Sequence, residues 1–270
     1  MRLKTPVNAW NGTVLVLGGT PEARQIVKFL IGRTPLKTII SLAGVLGNDA
    51  KQVLRQQVEL MAADRLAYRL GGFGGIDGLV NYLDTTQVSA VIDATHAFAR
   101  QISANAHEAT LRAGIPLLRY LRPQWQSIEG DQWKTVRDLK EAAKILPPNC
   151  HAMLAIGRMS YDSFRSRDDC QFLLRSIGPV DSSELPGNFT HIQAMPGHVP
   201  EEEMALMKQF GVDCLVTKNS GGDRSYLKLV AARYLRLPVV MVERPELPYC
   251  AEVSSLNELD LWLDQNGFKM

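Results

Sequence analysis

The stretch VLVLGGTPEARQIVKFL, residues 14–30, decides the fold class of this chain. Val14–Leu17 is an apolar run typical of a buried strand, and Gly18-Gly19-Thr20 then turns the chain. Pro21 and Glu22 suit a first helical turn, and the apolar residues that follow recur at helical spacing. A buried strand, a glycine turn and an amphipathic helix in this order indicate one βα unit of a parallel α/β sheet.

The same alternation continues through the chain and predicts two α/β domains with parallel sheets. We place the boundary at Arg122-Pro123, which gives domains 1–122 and 123–270, the second with a last helix from Ser255 or Asn257. The other predicted strands are Thr38–Leu42, Val88–Ile92, Ile115–Leu118, Ala152–Ile156, Phe172–Ile177, His191–Ala194, Asp213–Thr217 and Val239–Val242. The other predicted helices end at Ala113, Leu146, Phe210 and Leu235.

Composition excludes several classes of protein. The 270 residues are 46% hydrophobic and 21% charged, which is ordinary globular usage, and no apolar run is long enough for a membrane span or a signal peptide. A net charge of +2 without a basic stripe disfavours a nucleic-acid binder. The four cysteines form no C-x-x-C pair, so we expect reduced thiols in a cytoplasmic protein.

The turn after the first strand is a candidate phosphate site. Glycines at 18 and 19 let the backbone approach a phosphate, and the N–H groups of the next helix point towards it. The alternative is a tight strand-to-helix turn without a ligand, since the pattern is not G-x-G-x-x-G. The second strand ends Ser41-Leu42-Ala43-Gly44 without the acid that would bond the ribose hydroxyl of NAD, which favours NADP, with Ser41 as a donor.

Two further turns of the first half carry suitable residues. Residues 71–78, GGFGGIDG, hold five glycines around Phe73, and we interpret them as a loop lining a ligand; the alternative is a flexible surface loop. Asp93-Ala94-Thr95-His96 follows another strand, and His96 is either a proton donor or a helix-start residue bonded to the backbone. Ser103 lies on the helix that follows.

The fourth turn, Thr217-Lys218-Asn219-Ser220-Gly221-Gly222, lies in the second half. One cation, small donors and two glycines make a compact cradle for an anion. The alternative is a capped turn with a solvated Lys218. The arginines that follow strand-like runs are further candidates, although some would be surface charges: Arg119, Arg122, Arg158 and Arg244.

Other chemistries find no motif in the sequence. It contains neither G-x-S-x-G nor G-x-x-x-x-G-K-[ST], and its five histidines never fall at metal-ligand spacing, so no metal is expected. Glycine turns without a nucleophile suit a cofactor that carries the chemistry itself.

Taken together, these turns resemble the precorrin-6A reductase family of cobalamin biosynthesis. The matching runs extend from residue 14 to 245, and the most specific are G-G-F-G-G-x-D-G-L at 71–79 and V-T-K-N-S-G-G at 216–222. The resemblance implies two Rossmann-like domains with the active site in the cleft between them. It implies that NADPH reduces one conjugated double bond of a corrin-like tetrapyrrole, precorrin-6A, to give precorrin-6B.

On this interpretation the first domain binds NADPH and the second binds the tetrapyrrole. The expected cofactor-binding residues are Gly18, Gly19, Thr20, Glu22, Ser41, Ala43, Gly44, Gly72, Gly74, Asp93 and Thr95. The expected substrate-binding residues are Phe73, Ser103, Lys218, Asn219, Ser220 and Gly221. His96 is the candidate proton donor, with water or the substrate's ring nitrogens as alternatives.

Two other functions stay open at this point. One is another tetrapyrrole-pathway enzyme, such as a methyltransferase that uses S-adenosylmethionine. The other is a non-catalytic dinucleotide-binding module, against which the second cradle at Lys218 counts. The sequence leaves open whether the substrate carries cobalt and whether the protein is a monomer.

Overall fold

The structure, a computed structural model, describes residues 12–33, 36–42, 65–158 and 160–268. These residues form two compact units. The first comprises the described residues up to Arg122 together with those from Glu246 onward, and the second is Pro123–Pro245.

The first unit contains six strands and four helices among the described residues. The strands are β1 (Thr13–Leu17), β2 (Lys37–Leu42), β3 (Leu66–Leu70), β4 (Val88–Asp93), β5 (Leu117–Tyr120) and β12 (Ala251–Val253). The helices are α1 (Pro21–Arg33), α2 (Gly75–Thr85), α3 (Arg100–Ala113) and α7 (Leu256–Gln265).

The second unit repeats this plan. Its strands are β6 (Trp133–Val136), β7 (His151–Ala155), β8 (Gln171–Ser176), β9 (Phe189–Gln193), β10 (Cys214–Lys218) and β11 (Val239–Val242). Its helices are α4 (Leu139–Ile145), α5 (Pro200–Gln209) and α6 (Asp223–Tyr234), with short 3₁₀ turns at Tyr161–Phe164 and Ser182–Glu184.

Each unit is built on one six-stranded sheet in which every observed pairing is parallel. The strand orders are β3-β2-β1-β4-β5-β12 and β9-β8-β7-β10-β11-β6. Both are the doubly wound order, with a change of direction beside β1 and β7. However, β6 follows β5 in the chain yet joins the second sheet, and β12 follows β11 yet joins the first. The sixth strand of each sheet therefore comes from the chain segment that directly follows the fifth strand of the other sheet.

Apolar side chains cover both faces of the first sheet. Val14, Val16 and Ile40 pack with α1 and α7 on one face. Leu15, Leu17 and Ile39 pack with α2 and α3 on the other. Burial on both faces explains why the central strands are continuous apolar runs rather than alternating ones.

The second sheet is covered in the same way. Met153, Leu215 and Val239 form one cluster with residues of α5 and α6. On β8, Phe172 packs edge to face against Phe164, with ring centres 5.6 Å apart. Packed helices and side chains thus hold both sheets, and the turns follow the strands at their carboxyl edges.

The predicted fold class, two α/β domains with parallel sheets, is confirmed. Three strands and one helix were not predicted: β3, β6, β12 and α2. The predicted second domain, 123–270, differs from the structure for residues from Glu246 onward, because β12 pairs with β5 through Ala251↔Leu118. Among the described residues, no helix has the length and apolar composition needed to cross a membrane.

Candidate functional site

Register aligns one residue from each of five strands at the carboxyl edge of the first sheet. Leu17 of β1 pairs with Ser41 of β2 and Asp93 of β4, and these pair in turn with Arg69 of β3 and Arg119 of β5. In parallel strands, paired residues project to the same face. Polar and charged side chains therefore flank the glycine turn on both sides.

The turn after β1 requires glycine. The Gly18 N–H donates to the Ser41 carbonyl at 2.8 Å, and a Cβ at Gly18 would lie 3.0 Å from Leu42 Cδ2. Gly19 has a φ of 130°, a conformation that L side chains rarely adopt. Because Gly18 and Gly19 have no side chains, a phosphate could approach the backbone N–H groups of this turn closely.

Thr20 fixes the start of α1. Its hydroxyl donates to the Ala94 carbonyl at 2.8 Å and accepts from the Ala23 N–H at 3.2 Å. The side chain is thus an N-cap that also ties the turn to the end of β4. A cofactor contact of Thr20 stays a prediction.

Two carboxylates lie close to arginines at this edge. Glu22 Oε1 is 3.7 Å from Arg122 Nη1, and Asp93 Oδ2 is 3.8 Å from Arg119 Nε. Asp93 is only 2% exposed, and its Oδ1 accepts from the N–H and hydroxyl of Thr95 at 3.2 and 2.6 Å. Within the described chain, Glu22 Oε2 and Asp93 Oδ2 are buried and lack a hydrogen-bond donor.

Arg119 joins this edge to the C-terminal segment. Its side chain is 3% exposed; Nη1 donates to Glu252 Oε1 at 2.5 Å and Nη2 to the Pro248 carbonyl at 3.1 Å. Burial raises the pKa of the neighbouring Tyr120 phenol, and the Glu22 carboxylate adds to the effect. The segment that carries β12 is therefore bonded to the same arginine that faces Asp93.

The glycine stretch at 71–78 is only partly a loop. Helix α2 begins at Gly75, after Gly74 with a φ of 82°. A Cβ at Gly78 would lie 1.8 Å from the Phe73 carbonyl oxygen, so this glycine lets the helix pack closely against its preceding turn. Residues 75–78 are therefore helical rather than part of a loop, and the ligand-lining role of the stretch stays a prediction.

The remaining loop borders a cavity of about 470 Å³ in the first unit. Phe73, one of the lining residues, packs edge to face against Tyr82, with ring centres 5.2 Å apart. The cavity lining is mostly apolar and backbone, with Gly72, Phe73, Gly74, Gly75, Phe98, Ala99, Arg100, Gln101, Ile102 and Asn105. Gly72, Phe73 and Gly74, all predicted as binding residues, thus share one cavity.

His96 and Ser103 differ in exposure. His96 is exposed, and its Nδ1 accepts from the Phe98 N–H at 3.3 Å, as the backbone-bonded alternative expected. Ser103 is 2% exposed, and its hydroxyl is 3.5 Å from that of Thr95. Ser41 is buried, whereas Ala43 and Gly44 lie outside the described residues.

Lys218 is the last residue of β10, in the second unit. Its Nζ donates to Ser160 Oγ at 2.8 Å, in the segment after β7. Burial lowers the pKa of Lys218 from 10.5 to about 8, because desolvation disfavours the ammonium. The lysine is therefore a partly desolvated cation rather than the solvated surface charge of the alternative interpretation.

Asn219 clamps the turn after β10 to the backbone of Trp125. Its Oδ1 accepts from the Trp125 N–H at 2.9 Å, and its Nδ2 donates to the Trp125 carbonyl at 3.0 Å. Its backbone N–H donates to Val242, and its carbonyl accepts from Arg244. These bonds use one of the two Nδ2 hydrogens and one acceptor site of Oδ1, so the clamp fixes the side chain while its predicted substrate contact stays a prediction.

Ser220 and Gly221 complete the turn before α6. Ser220 is 8% exposed, and its N–H donates to the Lys218 carbonyl at 2.8 Å. Gly221 and Gly222 have φ values of 73° and 90°, and no described side chain caps α6. The turn thus joins a strand-end lysine to the N-terminus of a helix that no described side chain caps, and both groups can attract a carboxylate.

A second cavity, of about 620 Å³, opens on the second unit beyond β7 and β8. Arg158 and Arg165 lie in its wall with Tyr161, and its acids are Asp162, Asp181 and Glu184. Arg165 is already engaged with Asp162 at 2.7 Å. Arg158 Nη1 is 3.4 Å from the Pro179 carbonyl.

Sequence reasoning missed four polar residues in and around the two sheets. Arg69 was missed because β3 is short and half-exposed, so its strand-end position was not recognised. Ser160 follows the Gly157-Arg158 strand end, a signal that could have identified it. Arg175 and Glu203 form a buried ion pair at 2.6 Å that no local pattern reveals, and Glu203 also accepts from the Gly197 N–H at 2.7 Å.

The fold and these turns define a two-unit, Rossmann-like α/β protein with candidate anion sites at the carboxyl edge of each sheet. The family model described as "Precorrin-6x reductase CbiJ/CobK" matches residues 13–264. The chain therefore belongs to the precorrin-6x reductase CbiJ/CobK family.

Individual relatives agree over most of the chain. It is 40% identical to a precorrin-6A reductase of Rhodococcus erythropolis over 240 residues, covering 88% of this chain and 92% of the relative. It is 28% identical to a cobalt-precorrin-6A reductase of Priestia megaterium, covering 91% and 96%. A solved structure described as CobK precorrin-6A reductase superposes with a TM-score of 0.82 at 34% identity, covering 96% of this chain and 98% of that one.

Proposed function

We propose that this protein uses NADPH to reduce one conjugated carbon–carbon double bond of precorrin-6A, giving precorrin-6B in cobalamin biosynthesis. The observation that carries the proposal is the family match over residues 13–264. The candidate sites support it, because a bare glycine turn suits a dinucleotide and a lysine cradle suits a substrate with many carboxylates.

The residues of the first unit fit a dinucleotide. The bare backbone of Gly18 and Gly19, at the N-terminus of α1, would bind the pyrophosphate. The buried oxygens Glu22 Oε2 and Asp93 Oδ2 need donors, and ribose hydroxyls are donors. NADPH, when bound, would supply a hydride to one carbon of the double bond.

The residues of the second unit would bind the rim of the tetrapyrrole. Lys218 would donate to a rim carboxylate, with the Ser220 hydroxyl and the N-terminus of α6 as further donors. With a pKa of about 8, Lys218 is largely protonated at neutral pH. Asn219 would position this turn through its bonds to Trp125. Gly221 would keep the backbone open to the substrate, whose other expected contacts are Phe73 and Ser103.

His96 would donate the proton that the other carbon receives. It is exposed at the carboxyl end of β4, in the segment that also holds Thr95. The chain's main contribution would be to hold donor and acceptor carbons in reacting geometry.

We further propose the cobalt-free substrate. Five relatives named precorrin-6A reductase, two of them from strains of one species, are 34–40% identical to this chain, whereas three named cobalt-precorrin-6A reductase are 28% identical. Parallel turnover assays with precorrin-6A and its cobalt complex test this point. Faster turnover of the cobalt complex would contradict it.

A cytoplasmic location also belongs to the proposal. Cys150, Cys170 and Cys214 are buried free thiols, and burial raises the pKa of Cys214 to about 12. Unpaired thiols of this kind are usual in a reducing compartment.

The cofactor is tested by thermal-shift titration with NADPH, NADH and S-adenosylmethionine in parallel. A ligand that binds only the folded state raises Tm. We expect a shift with NADPH at lower concentration than with NADH. A shift with S-adenosylmethionine alone would overturn the reductase function.

A further inference from the structure

Arg69 occupies a defined place at the carboxyl edge of the first sheet. It is in register with Ser41 on the neighbouring strand, so the two side chains project to the same face. This face also carries Leu17, which packs with residues of α2 and α3. Arg69 therefore places a cation beside the end of β2.

The guanidinium is held by the glycine loop. Its Nη1 donates to the Gly71 carbonyl at 2.6 Å and its Nη2 to the Gly72 carbonyl at 2.8 Å. Its central carbon lies 3.7 Å from the centre of the Phe73 ring and 5.1 Å from that of Tyr82. These bonds use two of the five N–H groups of an arginine, and the stacking fixes the plane of the others.

The loop that Arg69 holds is itself part of a cavity. Gly72 and Phe73 line the 470 Å³ cavity of the first unit, and the Arg69 guanidinium stacks on the Phe73 ring. In doubly wound sheets the adenosine ribose lies beyond the end of the second strand, where an acid recognises NAD and an arginine accommodates the 2′-phosphate. The described end of β2, Ser41-Leu42, offers a hydroxyl and no acid.

We propose that Arg69, together with Ser41, binds the 2′-phosphate of the cofactor and thereby determines the preference for NADPH over NADH. This inference rests on the proposed function, in which the first unit binds a nicotinamide dinucleotide. It makes Arg69 a specificity-determining residue, in addition to its bonds to the loop.

The test is calorimetric titration of the whole protein with adenosine 2′,5′-bisphosphate and with AMP, which differ only in the 2′-phosphate. A charge-assisted hydrogen bond to phosphate is among the strong polar contacts. We therefore expect Arg69→Gln to weaken binding of the bisphosphate by about 10- to 100-fold while AMP binding changes less than about threefold. Arg69→Lys keeps the positive charge but loses the planar guanidinium with its several N–H donors. Its affinity for the bisphosphate should therefore lie between those of the wild type and Arg69→Gln.

Arg112→Gln is the matched control. It removes the same charge in the same unit, from an arginine near the end of α3 that pairs with Glu108 and Asp77. We expect it to leave both Kd values unchanged. In the complete enzyme, the ratio of kcat/KM for NADPH to that for NADH should fall in Arg69→Gln and stay constant in Arg112→Gln.

The possible failures are distinguishable. If Arg69→Gln weakens AMP and the bisphosphate equally, the residue only holds the loop and the inference is overturned. The inference would also be overturned if the wild type and both Arg69 variants prefer the bisphosphate over AMP by the same factor. That result would leave the proposed function intact. If the wild type itself binds AMP and the bisphosphate equally, both the inference and the proposed use of NADPH are contradicted.

Discussion

Lys218→Ala is the substitution that separates substrate binding from cofactor binding. The Lys218 ammonium is largely protonated at neutral pH although burial lowers its pKa to about 8. Removing a charge-assisted hydrogen bond to a rim carboxylate costs about 1.5–3 kcal/mol, which is roughly 10- to 100-fold in binding. We expect KM for the tetrapyrrole to rise by that factor while NADPH affinity changes less than about threefold.

The assay is the steady-state loss of NADPH absorbance at varied tetrapyrrole concentration. Lys144→Ala removes an exposed lysine from α4 of the same unit and serves as the control for net charge. An unchanged KM in Lys218→Ala would remove this residue from the substrate site.

The lowered pKa of Lys218 also predicts a pH dependence. In the wild type, kcat/KM should fall above about pH 8 as the free enzyme loses this proton, and Lys218→Arg should move that decline to higher pH. The same burial destabilises the fold at neutral pH, where the lysine is charged in both states. Between about pH 8 and 10.5 only the unfolded state stays charged, so stability should rise with pH in this window.

Substitutions at three further places test other parts of the account. His96→Ala should lower kcat by about 100-fold if this residue donates the proton, and an unaltered pH–rate profile in the variant would count against that role. Gly78→Ala should lower Tm, since its Cβ would lie 1.8 Å from a backbone oxygen, whereas Gly72→Ala, with nothing within 4 Å, should not; equal Tm values would refute the packing argument. Arg175→Met leaves Glu203 buried without its partner and should cost about 3–5 kcal/mol in urea unfolding, a loss that Arg175→Met combined with Glu203→Leu should largely recover.

The fold was predictable wherever a strand is buried on both faces. Val14–Leu17 is continuous and apolar for that reason, and its glycine turn and Pro21 mark the next helix. Leu66–Leu70 and Ala251–Val253 are short edge strands with mixed exposure, so neither carries a clear pattern. The exchange of edge strands leaves no local signal, because only the pairing of β12 with β5 reveals it.

Features at strand ends could be predicted from the local sequence, whereas contacts between distant parts of the chain could not. The turn at Lys218 was recognised from its residue types and its place after a strand. Its bond to Ser160 joins residues 58 positions apart, and the clamp of Asn219 on Trp125 spans 94. Such pairs depend on strand order rather than on local sequence, which is why the bonds of Lys218 to Ser160 and of Asn219 to Trp125 were not predicted.

The most direct test of the proposed reaction is anaerobic incubation of the purified protein with precorrin-6A and NADPH, followed by mass spectrometry of the tetrapyrrole. The account predicts a gain of two hydrogens, with one NADPH consumed per product. Deuterium from NADPH labelled at the transferable position should appear in the product. An unchanged tetrapyrrole mass in the presence of bound NADPH, or the gain of a methyl group when S-adenosylmethionine is supplied instead, would contradict it.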